Sequence, residues 1–315
     1  MKTSIKLLAL ILSVSFTACL KDKPLFDPDM IPNVLELENI GPVESTTASP
    51  YPLFSKSFDI APESNLELTV NYAGDEVAPQ DITVQLAVDP GVLKAYNDTA
   101  HTTYTILPTT LYTLPTTVTI PKGQRKGRFV VKLKTEQFDF TKTYALPVAI
   151  QSTNFGVISG NFGKVVYKVG AKNKFDGVYS LKSRMGANAD RPTFARSSWT
   201  WPYDVQLVTT GPNSVALFNS QYSNDYTHPI VLNDNSVSRL GTFTPEFTFD
   251  ASNKLVSVKN YIVNPANGRA ARMNTAVPDS RYDPATKTAY LSFLMEQPAF
   301  EPLSFTDTLV YKRSR

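Results

Sequence analysis

Apolar and polar residues alternate along much of this chain, and the alternation predicts strands. From Asn65, the residues Leu66, Leu68 and Val70 fall on one side and Glu67, Thr69 and Asn71 on the other, the period of two that a half-buried strand requires. Ile82, Val84, Leu86 and Val88 repeat the pattern until Asp89-Pro90-Gly91 stops it. Asp89 as N-cap with Pro90 in the first turn predicts one short helix through Tyr96. Val118 and Ile120 lead into the Pro121-Lys122-Gly123 turn. Arg128 to Lys134 then sets Phe129, Val131 and Leu133 against Arg128, Lys132 and Lys134. Tyr144, Leu146, Val148 and Ile150 mark another strand. Strands at these intervals, with turn residues between them, predict an immunoglobulin-like β-sandwich over residues 34–170.

Ala171-Lys172-Asn173-Lys174 is a polar joint, and a second module is expected over residues 174–315. Strands are predicted at Tyr203 to Val208, Val215 to Phe218, Phe243 to Phe249, Leu255 to Val263, Ala289 to Met295 and Thr308 to Tyr311. Asp250 to Lys254 and Asp283 to Lys287 read as tight turns. Gly177-Val178-Tyr179 followed by antiparallel strands suits a small barrel or a second sandwich. The 23 prolines, 15 tyrosines and 18 phenylalanines agree with an all-β fold class.

The first residues break the pattern. Lys2 and Lys6 precede an apolar run from Leu7 to Phe16, then Thr17-Ala18-Cys19, and Cys19 is the sole cysteine of the 315 residues. A basic start, a short apolar stretch and small residues before the cut describe a secretory signal, residues 1–18. The cysteine placed there resembles a bacterial lipobox, which implies cleavage before Cys19 and lipid attachment to it; a plain thiol in a simple signal peptide is the competing reading. Residues 19–33 then form a charged tether beginning Lys21-Asp22-Lys23. An acidic, lysine-containing stretch after the cysteine resembles the export signal of Bacteroidota surface lipoproteins, so the expected location is the outer membrane, facing the cell exterior.

Cleavage removes Lys2 and Lys6 from 31 basic residues and leaves all 28 acidic ones, for a net charge near +1. Nothing in that balance favours nucleic acid. With Cys19 lipidated, no disulfide or thiol chemistry remains, so packing alone holds the folds.

The stretches DITVQLAVDPGVLKAYN, YTILPTTLYTLP, VTIPKGQRKGRFVVKL and KTYALPVAIQS within residues 81–152 resemble the N-terminal domain-of-unknown-function module of Bacteroidota surface lipoproteins. There it precedes glycan-binding modules or family-18 glycoside hydrolases. WPYDVQLVTTGPNSV, LGTFTPEFTFD, VSVKNYIVNPANGRAARMN and RYDPATKTAYLSFLMEQP resemble its companion C-terminal module in lipoproteins of polysaccharide-utilisation loci. The resemblance implies a spacer sandwich carrying a second domain, with no catalytic residue to transfer.

Catalytic chemistry finds little footing. Family-18 hydrolases draw their carboxylates from an Asp-x-x-Asp-x-Asp-x-Glu strand that is missing here, and His101 and His228 have no nucleophile elbow beside them. No cofactor and no metal site is expected; Asp250 and Asp283 read as turn residues rather than calcium ligands. Aromatic residues are the constellation that suits a function, because sugar rings expose apolar C–H faces and need flat platforms with polar groups nearby. Trp199, Trp201 and Tyr203 alternate and share one face if extended; such a row serves a core as readily as a platform. Pro202 favours an edge position. Tyr222 and Tyr226 lie in a polar loop with Asn224 and Asp225. Arg269, with Arg272 and Arg281, offers planar donors for sugar hydroxyls or a sugar acid, or else sits in solvent. The basic run from Lys122 to Lys134 either meets an anionic polysaccharide or, as alternation explains for half of it, is the wet face of a strand. Asp98-Thr99-Ala100, in a loop after the helix, resembles a Bacteroidota O-glycosylation acceptor at Thr99, and Asp307-Thr308-Leu309 is similar.

The reading that follows is a non-catalytic, lipid-anchored glycan-binding protein whose expected partners are a glycan, outer-membrane lipid and an outer-membrane importer. The alternative is a pilus-like or assembly subunit that binds another protein.

Overall fold

The computed structural model describes residues 32–45, 49–194, 203–262 and 267–315. In chain order the first module holds strands β1 (Val34–Leu37), β2 (Leu53–Asp59), β3 (Ser64–Ala73) and β4 (Ile82–Val88), helix α1 (Pro90–Ala100), and strands β5 (Thr105–Ile106), β6 (Tyr112–Thr113), β7 (Thr117–Ile120), β8 (Lys126–Leu133), β9 (Tyr144–Thr153), β10 (Val157–Ile158) and β11 (Lys164–Lys172). The second holds β12 (Gly177–Met185), β13 (Tyr203–Gly211), β14 (Ser214–Phe218), β15 (His228–Val231), β16 (Val237–Leu240), β17 (Pro245–Phe249), β18 (Leu255–Asn260), β19 (Ala270–Met273), β20 (Arg281–Asp283), β21 (Thr288–Glu296) and β22 (Leu303–Arg313).

The first module is a sandwich of a sheet ordered β10-β1-β3-β8-β6 against one ordered β2-β11-β9-β4-β7. Leu66, Leu68 and Val70 of β3 and Phe129, Val131 and Leu133 of β8 point into the space between the sheets, where they meet Val84, Leu146, Val148 and Tyr167. β9 departs from simple alternation: Tyr144 to Ile150 are all buried. Leu146, Val148 and Ile150 face the sandwich core, whereas Ala145 lies with Val92, Leu93 and Tyr96 of α1. A helix over its outer face leaves this strand no wet side. Pro147 sits in β9 without loss, because its carbonyl accepts Asp89 N at 3.0 Å, past the end of β4. Both polar directions of a strand residue point the same way in an antiparallel ladder, so the missing N–H faces the spot where the partner strand has already turned away.

The cap of α1 forms as expected, Asp89 Oδ1 accepting Gly91 N at 2.9 Å. The helix runs past Tyr96 to Ala100 and is closed by His101 in the left-handed region at φ 54°. Thr99 therefore lies exposed in the last helical turn, not in a loop.

The second module is one antiparallel sheet, ordered β18-β17-β14-β13-β12-β22-β21-β19 with β20 also on β21. Its ends meet. Lys254 bridges Arg281, Leu255 N donates to Ser280 O at 2.9 Å and Tyr282 N to Asn253 O at 2.9 Å. The sheet thus curls into a barrel of consecutive strands. Its interior is filled: Phe293 stacks on Phe305 with centroids 5.1 Å apart, Phe247 meets Phe293 at 5.4 Å, and Phe175 lies between Phe249 and Tyr282. The β15–β16 hairpin closes one end, burying His228, Ile230 and Leu240. Gly177 belongs to this core for a steric reason: a Cβ there would come within 2.5 Å of the Tyr311 ring.

The turns at Asp250 and Asp283 use their own carboxylates. Asp250 Oδ1 accepts Ser252 N and Lys254 N, both at 2.9 Å, and Asp283 Oδ1 accepts Ala285 N at 2.9 Å. In the first module Lys132 pairs with Glu63 at 3.0 Å and Lys126 with Glu38, as befits a solvated strand face.

Candidate binding surface at the distal end of the barrel

Topology sorts the loops of the barrel into two sets. β12 leaves the first module at Gly177, so the connections 212–213, 250–254 and 284–287 lie at the near end. The described residues 186–194, 219–244, 261–262, 267–269 and 297–302 lie at the far end. The near end is tied to the first module: Asn173 N donates to Thr209 Oγ1 at 3.0 Å, and Asn173 Nδ2 donates to Gly211 O and Ser214 O at 2.9 and 2.8 Å. Of the glycan-site residues predicted from the sequence, the described ones, Tyr203, Tyr222, Tyr226 and Arg269, belong to the far set or its border.

Trp199 and Trp201 lie outside the described residues, as does Cys19. Tyr203 is a correction. It opens β13 with 1 % exposure, its hydroxyl donating to Asn219 Oδ1 at 2.8 Å, and burial pushes its pKa up. The alternation that turns Val205 and Leu207 into the barrel turns Tyr203 inward too, so it is a core residue and offers no platform.

Tyr222 is 54 % exposed. Tyr226 is half-buried, its ring edge-on to Phe218 at 5.0 Å and 4.8 Å from Tyr261, on the outer side of the wall that carries Val215 and Leu217 inward. Asp225 is occupied within its own loop: it accepts Ser223 Oγ and Thr227 Oγ1, the latter at 2.6 Å, and pairs with Arg239. Tyr222 from this loop and Tyr261 from the neighbouring connection after β18 are exposed to solvent.

Arg269 holds three far-end loops together. Its Nε donates to Gln297 Oε1 at 3.1 Å, its Nη1 to Gly241 O, and its carbonyl accepts Asn260 Nδ2 at 2.9 Å. Arg272 and Arg281 do not join it; they pair with Glu296 and Asp279. The partner that sequence reading missed is Arg191, which also donates to Gln297 Oε1, at 3.1 Å, and lies over the Phe300 ring at 4.7 Å. Arg191 and Gln297 stand 106 positions apart, so no spacing could signal them. Beside them a cleft of about 370 Å³ is lined by Gly268, Ala270, Glu296, Gln297, Pro298, Phe300 and Pro302, within the range of about 300–1,000 Å³ that small ligands occupy.

His228, Asp307 and Ser183 form a buried group that is not a triad. Asp307 accepts Ser183 Oγ at 2.6 Å and contacts His228 Nε2 at 2.9 Å. The carboxylate sits between the other two, so the imidazole cannot take the serine proton. In Asp307-Thr308-Leu309 the aspartate is wholly buried and Thr308 half-buried within β22.

Comparison with known proteins places the two modules together. Residues 44–155 match a family model described as "-like, N-terminal domain". No curated protein matches the chain. Among solved structures, two proteins of unknown function from Bacteroides ovatus share the fold over nearly the full length. One has a TM-score of 0.53 at 14 % identity, covering 89 % of this chain and 95 % of its own. The other has 0.51 at 15 % identity, covering 88 % and 94 %. An auxiliary nutrient binding protein from Bacteroides thetaiotaomicron is similar at 0.47 and 14 % identity, covering 86 % and 94 %. The paired architecture of sandwich and barrel is therefore one that these two Bacteroides ovatus proteins share.

Proposed function

We propose that this chain is a lipid-anchored cell-surface protein that binds a glycan at the far end of its barrel, leaves it chemically unaltered and passes it to an outer-membrane importer. One observation supports the reading: the first described strand, β1, and the candidate surface lie at opposite poles. β2 ends at Asp59 beside Lys172, next to the joint; β3 returns from Ser64 to Ala73, and Val34 pairs with Ala73. Ten residues of β3, at about 3.3 Å each, carry the start of the chain about 30 Å from the joint. A lipid on Cys19 would thus hold the sandwich at the membrane and turn the far loops of the barrel outward. Those loops carry Tyr222, Tyr261, Phe300 and the arginines Arg191 and Arg269, the residue types that stack on sugar faces and donate to their oxygens; Trp199 and Trp201, outside the described residues, are proposed from the sequence to join them. The filled barrel interior leaves the outer surface as the place to bind.

Affinity electrophoresis of residues 20–315 through gels of plant, fungal and host glycans tests this, beside a Trp199→Ala, Trp201→Ala pair and a Tyr222→Ala variant. Retardation in at least one gel, reduced in a folded variant, is the expected result. Migration unchanged in all gels would sink the glycan reading and turn the search to protein partners.

A further inference from the structure

Arg191 and Arg269 share one neutral acceptor. Gln297 Oε1 receives Arg191 Nη2 and Arg269 Nε, each at 3.1 Å. The remaining acceptors are uncharged as well: Arg191 Nη1 donates to Glu301 O at 3.3 Å and reaches Asn188 Oδ1 at 3.5 Å, and Arg269 Nη1 donates to Gly241 O. Among the described residues neither guanidinium forms an ion pair, although Arg191 is only 8 % exposed. Buried charges in folded proteins are normally paired, because an unpaired one loses its hydration without return. The usual partner is missing here. Asp190 lies near Arg191 but its Oδ2 accepts Glu301 N at 2.6 Å. Burial, and then the charge of Arg191, hold Arg269 below the usual arginine range; burial does the same to Arg191, with Asp190 opposing it.

We propose that this arginine pair is an anion subsite and that the glycan it takes carries carboxylates, as uronic acid units do. The inference rests on the glycan reading above. Gln297 and Phe300, two of the groups that touch the guanidiniums, both line the 370 Å³ cleft. Phe300 is 44 % exposed and offers a sugar ring its face. Arg269 Nε and Nη1 are engaged but Nη2 donates to no described residue, so its N–H groups remain for a carboxylate, an acceptor that guanidinium recognises well. Glu296, also on the cleft wall, is neutralised by Arg272.

Gln297→Glu is the informative variant. It keeps the shape and supplies the arginines with the carboxylate they lack, so it should melt no lower than the parent yet lose binding. The probes are polygalacturonate and alginate gels, polygalacturonate reduced at its carboxyls to the neutral polymer, and dextran sulfate. The parent is expected to be retarded by a uronate polymer, at least about tenfold less by its reduced form and by dextran sulfate, and Gln297→Glu to lose about tenfold in uronate affinity. Arg269→Lys, which keeps the charge and loses the fork, should lose about as much and serves if Gln297→Glu fails to fold. Equal binding by these variants, equal retardation by dextran sulfate, or no retardation by either uronate polymer overturns the proposal. Retardation by neutral glycans alone would overturn it and leave the glycan reading standing; retardation by none removes both.

Discussion

His228 Nε2 lies 2.9 Å from Asp307 Oδ2 inside the barrel, with both side chains wholly buried. The contact joins the β15–β16 hairpin to β22 across 79 positions of sequence, and Asp307 also takes the Ser183 hydroxyl from β12. Asp307→Ala would strand both partners in the core. Leaving a buried polar group without its partner costs about 1–3 kcal/mol, and two groups lose theirs here, so the barrel should unfold at markedly lower denaturant in equilibrium melts. Asp307→Asn, which keeps one acceptor and the shape, should lose less. A loss below about 1 kcal/mol for Asp307→Ala, the worth of a single ordinary hydrogen bond, would show that the hairpin is held by its apolar contacts alone.

Gly177 has no room for a side chain. A Cβ at this position would fall 2.5 Å from Tyr311 Cε2 and 3.1 Å from Arg313 O, and the Tyr311 ring is itself held edge-on to Tyr179 at 5.5 Å. Gly177→Ala must displace that ring or separate β12 from β22, and overpacking of this kind costs about 1–3 kcal/mol. A double variant with Tyr311→Ala tests the cause: if the ring is the obstacle, the alanine at 177 should cost much less once it is gone. Additive losses would place the obstacle in the Arg313 backbone instead.

The sandwich was legible in the sequence because most of its strands have one wet face. β3 and β8 bury alternate residues, and Asp89-Pro90 announced the helix. Its length was not legible, since Asn97-Asp98-Thr99 read as a polar loop, yet the helix carries them and ends only where His101 takes the left-handed cap. The β15–β16 hairpin left no pattern: His228 to Val231 are buried without interruption and include Pro229. Tyr203 shows a different limit. Alternation placed it on a face, but closure of the barrel decided that the face was inside. The arginine pair was illegible because Gln297 meets Arg191 and Arg269 only through the tertiary fold.

Acid should loosen the loop that presents Tyr222. Burial disfavours ionised Asp225, but the hydroxyls of Ser223 and Thr227 and the Arg239 guanidinium outweigh it, and the carboxyl titrates below its ordinary value of 3.8. A group whose folded pKa is depressed stabilises the fold in full above its unfolded value and loses that contribution as pH falls through the folded one. Amide exchange of residues 219–240 should therefore quicken between about pH 6 and about pH 3 beyond the intrinsic change. In Asp225→Asn it should already be fast at the higher pH. Equal protection in the two proteins at about pH 6 would mean that the ring contacts of Tyr226, not the carboxylate, hold the loop.

The joint between the modules is built from residues that hydrogen-bond into the barrel rather than from a slack linker. Asn173 Oδ1 accepts Phe175 N at 3.0 Å while its Nδ2 binds two carbonyls of the β13–β14 turn. Asp176 accepts Thr209 N and Oγ1, both at 2.9 Å, and holds Arg315 through two contacts of 3.1 Å. Asn173→Ala removes three of these bonds and leaves turn carbonyls without their donor, a loss of about 1–3 kcal/mol confined to the near end of the barrel. In calorimetry the barrel transition should fall while that of the sandwich stays in place, and X-ray scattering should show a wider spread of inter-module angles. A single transition that shifts as a whole would mean that sandwich and barrel unfold together, and an unmoved profile would mean that Asp176 and Arg315 hold the joint without Asn173.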